Sequence, residues 1–406
     1  MNLLKNKIIL LLVLGIALLF FSNDFGLIDI EKTAIITAVA IDSAEDGEYV
    51  VTTEIAVPEA TDTNAENAKA VISGKGSTIG ASIKNVGDIS GWFPKLSFCN
   101  MIIVGSSLSR TNVIKVLDFF AKTLRVQDSA VVILAEKSAK ELLETATPLD
   151  NISSFALQKI LLKDPGFDRD IATTDVRKFC SDYYSDQASS YMPLVKIVEE
   201  NKGSENTDES GSQGNSGSSG SSAESGGAMD GKGNTLFDAT TTALFKNGVK
   251  VGELDKNLTT TFNFLFHDVN NTVMQVNDVN DNGTSLNYLI TILRCSPEMK
   301  LKADENSLQL NISLDLYCRV SDQNADYSDN ALSEYNPFPL SVKYKAEKDL
   351  KESLEILVLK EIETECDFLR VGKSLYRYNH AFYPTYKDKI YSSLKTVISV
   401  NVHGQT

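Results

Sequence analysis

The chain of 406 residues is poor in the side chains that usually do chemistry. Its three histidines, His267, His380 and His403, are scattered, and none stands at ligand spacing from another or from a carboxylate cluster. A metal site needs three or four converging ligands, and no His-x-x-x-His pattern supplies them. No Gly-x-Ser-x-Gly turn is present to expose a serine nucleophile. The five cysteines, Cys99, Cys180, Cys295, Cys318 and Cys366, are widely spaced and include no Cys-x-x-Cys, which argues against a zinc site or a dense disulfide framework. Their odd number leaves at least one thiol free, and Cys99 and Cys295 fall in apolar stretches where a lone cysteine acts as a small hydrophobe. One tryptophan and nine prolines set no class.

Positive charge is also scarce. Lys and Arg number 39 against 54 Asp and Glu, a net charge of −15, which argues against a nucleic-acid partner and against a surface that clings to anionic lipid. The stretch SGKGSTIG (Ser73–Gly80) resembles a phosphate loop only in composition. Lys75 is followed by Gly76 rather than Ser or Thr, and no Gly stands five residues before Gly74, so the spacing reads as a tight turn at Gly74–Gly76 entering a helix capped near Ser77 or Thr78. Paired acids such as Glu199–Glu200 and Asp208–Glu209 lie in or beside a polar stretch with no cleft to shift their pKa. The expectation is no catalytic residue, no cofactor and no metal.

Long hydrophobic runs are absent except at the front, MNLLKNKIILLLVLGIALLFFSNDFGL. Lys5 and Lys7 precede the run Ile8–Phe21, and Asp24, Asp29 and Glu31 follow it, so the N-terminus stays in the cytoplasm and the remainder crosses. About fourteen residues rise roughly 21 Å as a helix, short of the roughly 30 Å hydrocarbon core. Extending the helix to Leu27 lengthens it but brings Asn23 and Asp24 to the membrane edge. No Ala-x-Ala site follows Phe21, and no cysteine precedes Cys99 to accept a lipid. Residues 1–27 therefore read as an uncleaved signal-anchor, held by Ile8, Leu11, Leu14, Leu18 and Phe21; a cleaved signal is the alternative.

Beyond the anchor the chain divides into three parts. Residues 201–233 are mostly Ser and Gly with almost nothing apolar, a flexible linker or a disordered loop inserted in one domain. Before them, residues 30–200 interleave strands and helices as an α/β domain, either whole or subdivided near 150. Thr33–Asp42 and Glu48–Val57 read as a hairpin; Ile79, Ile83, Val86 and Ile89 mark a helix face; Met101–Gly105 and Ala130–Ala135 are buried strands. Val113–Leu124, Ser138–Glu144, Ile152–Leu162 and Thr174–Tyr184 read as helices, and Tyr191–Val198 as a strand. Residues 234–406 read as an α+β domain. It has a hairpin at Asn247–Gly248, long strands Leu286–Cys295 and Leu308–Val320, and a closing strand Leu394–Gly404. A long helix from about Tyr344 to Gly372 carries the stripe Leu350, Leu354, Leu357, Ile362, Cys366 and Leu369. The fold class is α+β: a mixed multi-domain ectodomain after an N-terminal membrane helix, with long β-strands and one long C-terminal helix packed on a sheet.

Several of these stretches, in this order, resemble the C subunits of spore germinant receptors, Ger(x)C. They are the hairpin AVAIDSAEDGEYVVTTEIAVP, the helix start at Gly76, Thr78 and Ile79, the strand MIIVG, the Leu117-Asp118-Phe119 helix and the AKELLE helix. Downstream come TALFKNGVKVGEL, the Cys366-Asp367-Phe368 segment and ISVNVHG. The resemblance departs from the family's pattern where a lipid-modified Cys is usual. It also departs at Phe98 and Cys99, where a His is common, at Lys122 and Gln127 in place of Arg, and at Tyr383 and Tyr386 in place of Trp. It implies a non-catalytic accessory subunit on the outer face of the spore inner membrane. Its partners would be a multi-span transporter-like subunit and a second, partly soluble one. The polar sides of the N-terminal helices, with Lys115 and Lys122, are the candidate partner contacts. The competing expectation is a membrane-anchored extracytoplasmic ligand-binding or envelope protein, with a secreted hydrolase third.

Overall fold

The expected hairpin nucleates the larger of two sheets. In the computed structural model, β1 (Thr33–Ser43) and β2 (Tyr49–Ala56) pair antiparallel, and β3 (Lys69–Gly76) pairs antiparallel to β2. The structure describes residues 7, 11–15, 33–56, 69–122, 126–148, 150–162, 170–199, 235–266, 269–281, 284–324 and 338–405. On the other side of β1 lie the short β4 (Phe93–Lys95) and then β5 (Met101–Val104), β6 (Val131–Ala135) and β7 (Ser189–Glu199), all parallel. The antiparallel β8 (Thr235–Lys246) and β9 (Val249–Leu254) close a nine-stranded sheet.

The unbroken apolar runs of β5 and β6 have a plain cause: a parallel strand covered on both faces has no polar side. Ile102, Val104, Val132 and Leu134 face α1 (Ile79–Ser90), α2 (Ile114–Lys122) and α5 (Val176–Tyr183). Met101, Ile103, Val131 and Ile133 face α3 (Ala139–Glu144) and α4 (Ser153–Leu161). A register shift between Ile36 and Ala38 turns Ile36 to the side of Val39 and Ile41.

The second sheet runs β10 (Thr272–Asp281), β11 (Thr284–Ala303), β12 (Leu308–Gln323), β13 (Leu394–Gly404), with β12 and β13 parallel. In β12, Leu308, Leu310, Ile312, Leu314, Leu316 and Cys318 all point inward. Against them lie α6 (Lys256–Phe266) and α7 (Leu340–Thr364), the latter burying Val342, Ala346, Leu350, Leu354, Leu357 and Val358. Tyr191, Leu244 and Leu254 of the larger sheet join the same apolar cluster, so the two sheets share a core. The result is a mixed α/β fold with two sheets.

Several expectations change here. Residues 201–233 lie outside the described residues, but the strands on either side of them pair directly, from Ser189↔Lys246 to Glu199↔Thr235. The part expected to start the C-terminal domain at 234 thus lends β8 and β9 to the first sheet, because β7 needs a partner on its open edge. Gly74 and Gly76 are not a turn; they end β3, where α1 crosses so closely that a Cβ at Gly74 would lie 2.3 Å from the Ser82 carbonyl oxygen. The expected cap is Thr78, whose hydroxyl accepts from the Ala81 amide at 3.2 Å. Ile89, expected on the buried face of α1, is exposed. The long helix stops at Thr364, where Glu365 (φ 50°) and then Arg370 (φ 61°) adopt left-handed backbone, and a separate α8 (Val371–Tyr378) follows. Cys366 and Leu369 are buried all the same, from the turn between the helices.

Of the expected anchor residues, Ile8, Leu18 and Phe21 lie outside the described residues, while Leu11 and Leu14 are exposed in the helical piece 11–15. Among the described residues no helix is long and apolar enough to cross a membrane.

Candidate functional site

Where α/β sheets bind ligands, at the carboxyl ends of parallel strands, this chain has put its own carboxylate. Asp42 at the end of β1 accepts from the amides of Ala139 and Lys140, both at 2.9 Å, and from the Ser138 hydroxyl at 3.1 Å. It thereby fills the first turn of α3 with the negative charge a helix N-terminus favours. The cavity left beside it, between Glu136, Ser138, Glu141 and Val195, measures about 30 Å³, room for one water.

A second acid, Glu54, is fully buried and fixes α4. Glu54 on β2 accepts from the Thr37 hydroxyl at 2.9 Å and from the amides of Ser153 at 3.0 Å and Ser154 at 3.2 Å. Lys69 lies 3.8 Å away and also donates to the Leu143 carbonyl at 2.7 Å. Every oxygen of Glu54 has a donor.

The junction between the sheets is built differently. Glu361, in the last turn of α7, and Asp367, in the turn before α8, are both buried. Asp367 accepts from the amides of Gly372 at 2.7 Å and Lys373 at 3.0 Å, which caps α8. One Glu361 oxygen accepts from the Leu369 amide at 2.6 Å; the other has no N–H donor and faces Asp367. Burial, then the neighbouring Asp367 charge, pushes Glu361 well above the carboxylate range. Burial also raises Asp367, to about 6, against the pull of its two backbone donors and Lys246. The consistent state is an acid–carboxylate pair, Glu361 donating its proton to Asp367.

Around this pair, Lys246 donates to the Gln187 carbonyl at 2.7 Å, and the Cys366 thiol donates to the Phe245 carbonyl at 3.2 Å. Burial lifts that thiol to about 12, so it is no nucleophile. All five cysteines are unpaired. An open cleft of about 560 Å³, bounded by Asp186, Gln187, Lys246, Tyr383, Lys389 and Tyr391, lies at the same junction. The acid pair ties α7 and α8 together and, through Cys366, to β8. It is a fastening between the two sheets.

The two lysines singled out from the sequence lie on α2. Lys115 is exposed and has no ion pair among the described residues. Lys122 is exposed but pairs with Asp118, whose other oxygen accepts from the Tyr184 hydroxyl at 2.9 Å; Lys122 is the main reason Asp118 lies below its usual range. The two were not brought into one cluster. Asp42, Glu54 and the Glu361–Asp367 pair were missed in the sequence. Glu361 alone had a signal, since it continues the buried spacing Leu350, Leu354, Leu357. Among the described residues no cluster of His, Cys, Asp and Glu could hold a metal.

This is a mixed α/β fold of two sheets whose acids Asp42, Glu54 and Asp367 are each engaged with its own backbone amides. Comparison places it more narrowly. Residues 27–197 match the family model of the spore germination protein N-terminal domain, and residues 240–405 match that of the spore germination B3/GerAC-like C-terminal domain. The chain belongs to this family, the C subunits of spore germinant receptors. The crystal structure of the GerBC protein has a similar fold, with a TM-score of 0.51 over 93% of this chain and 100% of that one, at 16% identity. No curated protein matches the chain.

Proposed function

We propose that the protein is a non-catalytic accessory subunit of a spore germinant receptor that works by docking. The observation carrying this reading is the match of both halves of the chain to the spore germination family, joined by the fold it shares with GerBC. In this reading Ile8–Phe21 holds the chain in the spore inner membrane, with the two sheets on the outer face. The docking partners are a multi-span transporter-like subunit and a second, partly soluble subunit. The outer face of α2 around Lys115 and Lys122 is the candidate contact. Asp42, Glu54 and Asp367 support a scaffold role, since each is engaged with the chain's own backbone.

The test is gene deletion in a spore-forming host, with co-purification. Deletion should leave spores dormant towards some nutrients yet responsive to treatments that bypass receptors, and the tagged chain should co-purify with a multi-span protein. A second reading, an extracytoplasmic ligand-binding protein unrelated to germination, rests on the cleft of about 560 Å³ at the sheet junction. Intact nutrient responses after deletion, together with tight binding of a small ligand, would favour it and overturn the first.

A further inference from the structure

We propose that the corner carrying Ile89, Trp92, Phe93 and Phe98 is a bilayer-contact patch, resting in the interface of the membrane that holds the N-terminal segment. This rests on the reading that Ile8–Phe21 is retained in a membrane, and it adds which face of the folded part meets the lipid. Within ten residues, four large apolar side chains are left in water: Ile89 is 63% exposed, Trp92 48%, Phe93 40% and Phe98 54%.

The local structure turns them outward and keeps them there. Gly91, at φ 72°, ends α1 with its amide on the Gly87 carbonyl, and the Trp92 amide is held by the Ser90 hydroxyl at 3.2 Å. β4 then adds Phe93, Pro94 and Lys95 beside β1, and the single 3₁₀ turn Leu96–Phe98 buries Leu96 while Phe98 stays outside. Phe93 and Lys95 are both exposed, with the half-buried Pro94 between them. The apolar groups are therefore presented by hydrogen-bonded backbone.

The place of the corner says what covers it. Phe93 pairs with Thr33, the first residue of β1, so the chain enters the fold beside the patch. About eleven residues separate Phe21 from Thr33, and fully extended they span at most roughly 40 Å. The tethered end of the molecule and its aromatic corner are thus the same end. Tryptophan and phenylalanine suit that position, since an aromatic ring rests well at the headgroup level and Trp keeps its N–H toward water. Lys95, exposed and without an ion pair among the described residues, can lay its stem along Phe93 and reach a phosphate. With a net charge of −15 the attraction is apolar, so zwitterionic lipid suffices.

Trp92 is the only tryptophan in the chain, so its fluorescence reports this corner without background. The experiment uses the full chain reconstituted into phosphatidylcholine vesicles. Flotation reads the anchor, and quenching by aqueous iodide and by phosphatidylcholine brominated on the acyl chain reads the patch. The expected result is a floating protein whose emission is blue-shifted, several-fold less quenched by iodide than a free tryptophan amide, and quenched by the brominated lipid. The double variant Phe93→Ser, Phe98→Ser should keep its far-ultraviolet dichroism and lose most of the brominated-lipid quenching. A chain that floats with Trp92 open to iodide and untouched by brominated lipid overturns the patch and leaves the anchor standing. Shielding from iodide without brominated-lipid quenching assigns the corner to a second copy and also overturns it. A chain that does not float overturns the anchor, and the patch with it.

Discussion

Glu54, on β2 against the start of α4, and Glu361, in the last turn of α7, are both fully buried glutamates, yet their surroundings are opposite. Glu54 meets two backbone amides, a hydroxyl and a lysine, so both its oxygens have donors. Glu361 meets one amide and a second carboxylate, so it holds a proton instead. Burial is the same for both; the donors around them differ. The first sheet is consequently fastened by a carboxyl with donors on both oxygens, and the junction between the sheets by two carboxyls that face each other.

The largest expected effect that sharpens this contrast is Glu54→Ala. It removes the carboxylate beside the mostly buried Lys69 and uncaps α4, and should cost about 3–5 kcal/mol in denaturant unfolding, as breaking a buried pair does. A loss no larger than that of a surface substitution would remove the distinction. Asp367→Ala comes next: with two α8 amides unsatisfied, the expected loss is about 1–2 kcal/mol, read in the same way.

The junction acids carry a pH dependence of their own. Glu361 and Asp367 hold their protons more tightly folded than unfolded, so the folded chain carries the extra protons above the ordinary carboxylate range. The stability this gives is fully present at low pH and is lost as pH rises, through about 6 for Asp367 and higher for Glu361. Glu361→Gln should flatten that decline in thermal melts from acid to mildly alkaline pH, and should be at least as stable as the wild type at the alkaline end. An unchanged slope would mean the pair does not share a proton. The smallest effect on folding is expected for Lys115→Glu, within about 0.5 kcal/mol of the wild type, with weakened co-purification of partner subunits as its readout.

Much of this architecture was legible in the sequence, and particular residues show why. Continuous runs such as Met101–Val104 and Val131–Ala135 announce strands covered on both faces, and β13 was expected with the bounds it has. What stayed hidden depends on partners distant in the chain. Nothing in Thr235–Leu254 states that these strands complete a sheet begun at Thr33. The helix over Lys256–Phe266 was missed because its Thr and Phe residues favour strands; its one local mark is Asp255, whose side chain accepts from the Leu258 amide at 2.9 Å. β10 went unread as well. The apolar stripe of α7 ran on through Cys366 and Leu369 because the turn after the helix fills the same core, so periodicity overshot the helix end. The candidate site was the least legible part, since a carboxylate's role is set by donors some hundred residues away, as with Glu54 and Ser153.

The pairing of Glu199 with Thr235 has a practical side. Both ends of the Ser/Gly segment leave from one rung of a ladder, so whatever is spliced there starts and finishes at neighbouring points. Lengthening a closed loop is cheap, about 0.6 kcal/mol for each doubling. A fluorescent reporter or affinity tag set between residues 201 and 233 would ride on the molecule without parting the strands. That gives a marker for following the subunit inside a spore while both termini stay native.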